Sequence, residues 1–146
     1  MIRQHLESRF PNLGTSGYSI ESPQTINYNC IAWAVGDTTR WWWPDNVYFW
    51  PSPPPREVTV DTLVNMFERF GYSVCGDAEY EDGFEKIAIY ADQNEEPTHA
   101  ARQLPSGRWT SKLGRFVDIE HTIDGLDRSE YGSVAVIMRR PTATTS

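Results

Sequence analysis

Between residues 41 and 55 the chain reads Trp41-Trp42-Trp43-Pro44, then Tyr48-Phe49-Trp50-Pro51, then Pro53-Pro54-Pro55. Each proline fixes φ and lacks an N–H, so neither a helix nor an inner strand can run through this stretch. It is a stiff, largely extended loop. The chain must therefore build its regular elements on either side, and the patterns on the two sides differ.

Upstream, Ile2 to Arg9 reads as a short amphipathic helix stopped by Pro11 and Gly14. The Ser- and Gly-rich stretch to Pro23 reads as extended loop. Ile31-Ala32-Trp33-Ala34-Val35 is a compact apolar helical segment closed by Gly36, and Asn27 and Asn29 ahead of it are favoured caps. That places Cys30 in the first turn of a buried helix. Downstream, Val60, Leu63, Val64, Phe67 and Phe70 recur at helical spacing and Gly71 ends the run. Strands are expected at 72–75, 86–91, 99–104, 108–113 and 133–138, with Pro105-Ser106-Gly107 as a hairpin turn. Helices first and an antiparallel sheet afterwards make one α+β domain over residues 1–140, with a flexible tail at 141–146.

Hydrophobic residues at 39% and charged residues at 23% are ordinary for a globular chain, and no apolar run is long enough to span a bilayer. The net charge of −7 argues against a nucleic-acid partner, because phosphate binding draws on clustered Lys and Arg. No membrane partner is expected either. Met1 to Glu7 has no apolar h-region, so no Sec signal is read and the cytoplasm is the expected compartment, a non-Sec export route aside. Acidic residues from Asp77 to Glu85 lack the ligand spacing of a calcium loop and read as solvated.

The two cysteines differ in setting. Cys75 follows an apolar strand-like run and reads as a buried core thiol. Cys30, at a helix start, is placed where a thiol pKa is lowered, and His99 at the head of a strand can supply an imidazole to it. A cysteine on a helix and a histidine on a sheet meet in this way across sequence distance. Cys30 is thus the candidate nucleophile and His99 its base.

Tyr28-Asn29-Cys30-Ile31-Ala32-Trp33-Ala34, His99-Ala100-Ala101-Arg102-Gln103-Leu104 and Trp109-Thr110-Ser111-Lys112-Leu113-Gly114 resemble motifs of the papain-like superfamily. Within it they resemble the small bacterial branch near NlpC/P60 and the papain-fold toxin domains. The resemblance implies a papain-like α+β fold, with the catalytic helix packed on an antiparallel sheet of about five strands. It implies hydrolysis or acyl transfer at an amide, ester or thioester carbonyl, without cofactor or metal. The substrate would be a peptide or protein, a peptidoglycan crosspeptide among the candidates, and the chain a dedicated amidase or toxin-like effector. The Cys-Gly-Ser/Ala-Cys-Trp/Tyr signature of papain-type endopeptidases is absent. Gln24, six residues before Cys30, matches the spacing of the oxyanion-hole glutamine in papain-type enzymes, and Asn29 is the rival donor.

A catalytic imidazole needs its ring held in one tautomer. Asp118 is assigned that role, with His121 and Ser111 as alternatives; Lys112 and Glu120 read as solvated charges. A metal site from His99, Asp118 and His121 is the weaker reading, for want of tight His spacing. Six tryptophans also allow a non-catalytic module with an aromatic platform for a glycan or a proline-rich peptide.

Overall fold

The computed structural model describes residues 2–22, 25, 27–45, 48–51, 57–113, 116–127 and 129–142. Among these residues four α-helices, α1 (Ile2–Arg9), α2 (Asn12–Ser16), α3 (Cys30–Val35) and α4 (Val60–Arg69), and a 3-10 turn (Ile123–Leu126) accompany seven strands. These are β1 (Tyr18–Ser22), β2 (Ser73–Cys75), β3 (Phe84–Ala91), β4 (Pro97–Gln103), β5 (Trp109–Lys112), β6 (Asp118–His121) and β7 (Ser133–Pro141). They form one sheet in the order β1-β6-β5-β4-β3-β7-β2, with every neighbouring pair antiparallel.

This corrects the expectation of a papain-like α+β domain with a catalytic helix on about five strands. The molecule is mostly sheet, seven strands wide, and its helices are short; the one that begins at Cys30 has only 6 residues. The two unexpected strands are β1 and β6, which pair with each other, Tyr18 against His121 and Ile20 against Ile119. Tyr18-Ser-Ile-Glu-Ser and Asp118-Ile-Glu-His are short and half polar, so neither carries a local strand signal. β1 is fixed by a partner about a hundred residues away in sequence, whereas β6 pairs on its other side with the neighbouring β5, Trp109 against His121 and Lys112 against Asp118.

Alternation along the central strands creates two cores. On one face Ile87, Ile89, Ala100 and Met138 pack against Cys30, Ile31 and Ala32 of α3 and Leu63, Met66 and Phe67 of α4. On the other, Ala88, Tyr90, Ala101, Trp109 and Ile119 pack against Leu6, Phe10 and Leu13 from α1 and α2. Strands buried on both faces read as continuous apolar runs, which is why β3 is legible in the sequence.

The Trp-Pro loop contributes to the first core through Trp42 and Trp50, both buried. Trp42 bridges to Phe49 and meets its ring edge-on at 5.0 Å. Pro53 to Pro55 lie outside the described residues. Pro141, expected in the tail, pairs with Phe84 in β7; residues 143–146 lie outside the described residues. Cys75 is not a buried core thiol. It is partly exposed on edge strand β2, its Sγ 3.6 Å from the Asp77 carbonyl, and both cysteines are free. Among the described residues no helix is long and apolar enough to cross a membrane.

Candidate active site

Asn29 sets the start of α3. Its Oδ1 accepts from the N–H of Ala32 at 3.1 Å, the cap that the sequence implies. The same side chain, buried, also accepts from Trp42 N–H at 3.0 Å and donates to Trp42 O at 2.7 Å. One amide therefore caps the helix and clamps the Trp-Pro loop across its first turn. Its hydrogen bonds serve the fold rather than an oxyanion. Gln24 lies outside the described residues. At the other end of α3, Gly36 takes φ +93°, and the Asp37 N–H reaches back to Ala32 O at 2.8 Å.

The clamp leaves a cleft of about 340 Å³ beside the helix start, lined by Cys30, Trp41, Trp43, Tyr48, Thr98 and Tyr131 among others. Trp41 and Tyr48 pack ring to ring at 5.5 Å. Trp42, Trp50 and Trp109 are buried in the cores, so the tryptophans do not form one exposed row. Those that face the cleft are its walls.

Cys30 is only 6% exposed. Burial pushes its thiol up to about 11, against the opposing pull of the Ala100 and Ile31 backbone and of the Lys112 charge. The lowered pKa expected from the helix start is thus overturned: desolvation outweighs the first turn of a short helix, and the resting group is a thiol.

His99 lies in β4 directly opposite Tyr90 of β3. Its ring stacks flat on Tyr131, with centroids 4.2 Å apart and planes 3° off parallel, and meets Tyr90 at 5.3 Å. It shares a face with Ala101 and belongs with the second core, whereas Ala100, its neighbour in the chain, faces α3. Cys30 and the His99 ring thus lie on opposite faces of β4. Tyr131 spans the divide at the strand end: its ring covers His99 and it lines the Cys30 cleft, while its carbonyl accepts from Thr98 Oγ1. Gly132 makes this placement available. It takes φ +79°, and a Cβ there would stand 2.0 Å from the Ala91 carbonyl oxygen. Neither His99 ring nitrogen has a hydrogen-bond partner among the described residues. Burial first, and His121 second, hold its pKa well below the usual histidine range, so the ring is neutral.

The three candidates for orienting His99 divide between the faces. Asp118 lies on the α3 face, opposite Lys112 in register, with Oδ2 accepting from the Tyr28 hydroxyl at 3.4 Å. The assignment of Asp118 to His99 is therefore corrected, because the sheet lies between them. His121 shares the His99 face, but its ring is engaged elsewhere. Nδ1–H donates to the Thr122 carbonyl at 2.6 Å, since a carbonyl can only accept, and that leaves Nε2 to accept from Ser111 Oγ at 2.7 Å. Burial lowers His121 to about 4 although its Thr122 bond opposes this, so it is a neutral core histidine. Among the described residues no group of three His, Cys, Asp or Glu can hold a metal ion.

Lys112 is not a solvated charge. It is fully buried on the α3 face, its ammonium donating to Thr25 O at 2.8 Å and lying 5.3 Å from the Tyr28 ring. The signal was present in the sequence only as a lysine inside a short strand, which is ordinarily a surface position.

A family model described as Domain of unknown function (DUF7689) matches residues 19–139. The chain belongs to this family. No curated protein and no solved structure matches it. The DUF7689 span opens in β1 and closes in β7, so it holds all of the sheet but Tyr18, Arg140 and Pro141, together with the Cys30 cleft and both histidines of the strands. Helices α1 and α2, which close the second core, precede it.

Proposed function

We propose that the chain is a cysteine-dependent hydrolase or acyl transferase acting on an amide or ester carbonyl, with Cys30 as nucleophile and His99 as proton acceptor. The observation that carries this reading is the position of Cys30, a nucleophilic side chain on the wall of an aromatic cleft. The order of its motifs, cysteine first and histidine on a later strand, resembles that of papain-like hydrolases and favours the same chemistry.

The reaction begins with a protonated thiol and a neutral imidazole, which is the combination that general-base catalysis needs. His99 must reach the cleft from beneath Tyr131. Its ring nitrogens carry no hydrogen bond among the described residues, so the move breaks none, but it takes the ring off the second-core face of β4 and off Tyr90 as well as off Tyr131, whose stacking alone is worth about 0.5–1.5 kcal/mol. A substrate seated against Trp41 and Trp43 displaces Tyr131 in this scheme. The sulfur then attacks the carbonyl carbon as its proton passes to His99. The Cys30 N–H, at the first position of a helix, has no partner within the helix and is the donor assigned to the oxyanion in this scheme. His99 returns the proton to the leaving group, and water or an amine releases the acyl chain from sulfur.

The test uses an activated aryl ester with intact-mass analysis. The expected result is an acyl adduct on Cys30 and its turnover, abolished in Cys30→Ser and slowed by about 10²–10⁴ in His99→Ala. An adduct confined to Cys75, or unchanged turnover in Cys30→Ser, overturns the reading.

A further inference from the structure

We infer that the cleft at the C-terminal end of α3 is a binding site for a small monocarboxylate with an apolar body, held by the Arg102 guanidinium. It lies at the opposite end of the helix from Cys30 and does not rest on the chemistry proposed there.

The strand register builds the site. Arg102 of β4 stands opposite Ile87 of β3, and two residues back along β3 Glu85 stands opposite Arg140 of β7. Residues two apart in a strand share a face, as do residues directly opposite in antiparallel neighbours. Ile87 belongs to the first core, so Arg102, Glu85 and Arg140 all stand on the α3 face. They line a cleft of about 350 Å³, with Ala34 and Val35 of α3 and Leu104, just after β4, as apolar walls. That is the low end of the size range of small-molecule sites. Two arginines and one glutamate in its described lining leave one positive charge unmatched, in a chain whose net charge is −7.

Arg140 is already committed. Its Nε donates to Glu85 at 2.7 Å, and its Nη1 to Phe70 O at the end of α4 at 2.8 Å. Arg102 is not. Of the half-buried arginines described, Arg9, Arg108, Arg139 and Arg140 each meet a carboxylate, whereas the Arg102 side chain has no ion pair or hydrogen bond among the described residues. Its guanidinium carbon lies 5.3 Å from the centre of the Trp33 ring, and Trp33 is itself fixed by Nε1–H on Thr110 Oγ1 at 3.0 Å. An aromatic face attracts a guanidinium through its π-electrons and uses none of the N–H donors. The end of α3 does not draw on them either: Trp33 O and Ala32 O accept from the N–H groups of Gly36 and Asp37 at 3.1 and 2.8 Å. A planar fork of free donors remains, the geometry that takes a carboxylate through two parallel bonds. Under Arg140, its ring 4.6 Å from that guanidinium, buried Tyr72 carries a hydroxyl without a hydrogen-bond partner among the described residues, a further donor on the same side of the sheet. One surplus positive charge between apolar walls fits a carboxylate on an apolar body better than a phosphate monoester, which carries close to two charges.

The probe is hexanoate, titrated into the full chain and followed at the arginine Nε–H signals by NMR. The expected result is a saturable shift, largest for the Arg102 signal, which is assigned by its absence in Arg102→Lys. Hexanamide, the same body without the charge, should bind at least about tenfold more weakly, and so should hexanoate to a folded Arg102→Gln. Glu85→Gln removes the negative charge of the described lining and should tighten hexanoate by about threefold or more. Acetyl-alanyl-leucine separates the two sources of such a group. Tighter binding of this peptide acid makes the ligand a peptide C-terminus, tighter binding of hexanoate makes it a free acid, and either result supports the inference. Equal affinity for hexanoate and hexanamide, wild-type affinity in Arg102→Gln, or tighter binding of inorganic phosphate than of hexanoate overturns it. An Arg102 that only braces Trp33 gives another pattern, which also overturns it: Arg102→Gln melts lower, and the wild type shows no saturable shift with either acid. Should Arg102→Gln not fold, Glu85→Gln decides, and an unchanged or weaker affinity there overturns the inference.

Discussion

A histidine in a strand can be a catalyst, a ligand or a core residue, and the sequence shows only that it is there. His99 and His121 were both eligible for the site, and the structure separates them by what their nitrogens meet. His121 has both satisfied, by Ser111 and Thr122, and is held neutral. That gives it a signature in solution. Its folded pKa of about 4 lies below the unfolded value of about 6.5, so the unfolded chain binds the extra proton between them. Stability is fully present above about pH 6.5 and is lost as pH falls toward 4, by up to about 3 kcal/mol from this residue. His99 adds to the loss in the same direction. Melting temperature measured across this range in wild type and in His121→Asn should show a shallower slope in the variant, with lower stability at neutral pH from the lost Ser111 bond. Identical slopes would show that His121 titrates alike in both states. Lys112, read as a solvated charge, escaped for a related reason: a lysine in a short strand looks like a surface residue until the register, which sets it opposite Asp118, and the covering segment are known.

At the level of elements, α1, α3, α4, β3 and the β4–β5 turn were legible because each carries its own signal: periodicity, an apolar run, a cap or a glycine stop. The β4–β5 turn closes with Leu104 N–H on Arg108 O at 2.7 Å, and Gly107 takes φ +89°. Strands β1 and β6 were not legible: β1 depends wholly on a distant partner, and β6, although it also pairs with β5, is only four residues long and half polar. The alternation of β4 was the costlier omission. Placing His99 on a strand says nothing of which face it takes, and a shift of one residue moves it from one core to the other. The Trp-Pro loop was legible as a loop, but its attachment was not. That attachment is Asn29, one side chain with three bonds to the helix and the loop. Asn29→Ala loses the cap and strands the Trp42 N–H and C=O together, so a loss of about 2–4 kcal/mol is expected in denaturant unfolding. Asn29→Asp keeps both acceptor bonds and loses the donor, and should cost less. If Asn29→Ala unfolds at the wild-type midpoint, the clamp contributes nothing to the fold and the cleft wall must be held by the tryptophans alone.

The whole molecule is a sheet that needs cover on both faces, and part of the cover of one face, α1 and α2, lies outside the family span. Residues 19–139 contain α3, α4 and the Trp-Pro loop, which close the first core. The second core is closed by Leu6, Phe10 and Leu13, each fully buried, from α1 and α2, together with Leu113, Val117 and Leu126 from within the span. Removing residues 1–17 therefore exposes Ala88, Tyr90, Ala101, Trp109 and Ile119 to water. Burying a side chain the size of Leu or Phe contributes about 1.5–3 kcal/mol. The three lost side chains alone then amount to about 5–9 kcal/mol, against a total stability of about 5–15 kcal/mol for a domain. Arg9 is lost too, and with it the ion pair to Glu130 at 2.6 Å, next to the Tyr131 that covers His99. A chain of residues 18–146 should accordingly show strand content by circular dichroism but no cooperative melt, and should bind a hydrophobic dye. The single change Phe10→Ala tests the same face more gently. It should cost about 3–5 kcal/mol and loosen Tyr131, whose ring lies 5.1 Å from Phe10. If the shortened chain melts cooperatively near the wild-type temperature, the first core and the sheet are self-sufficient. The N-terminal helices would then be a cover over the histidine face rather than part of what folds it.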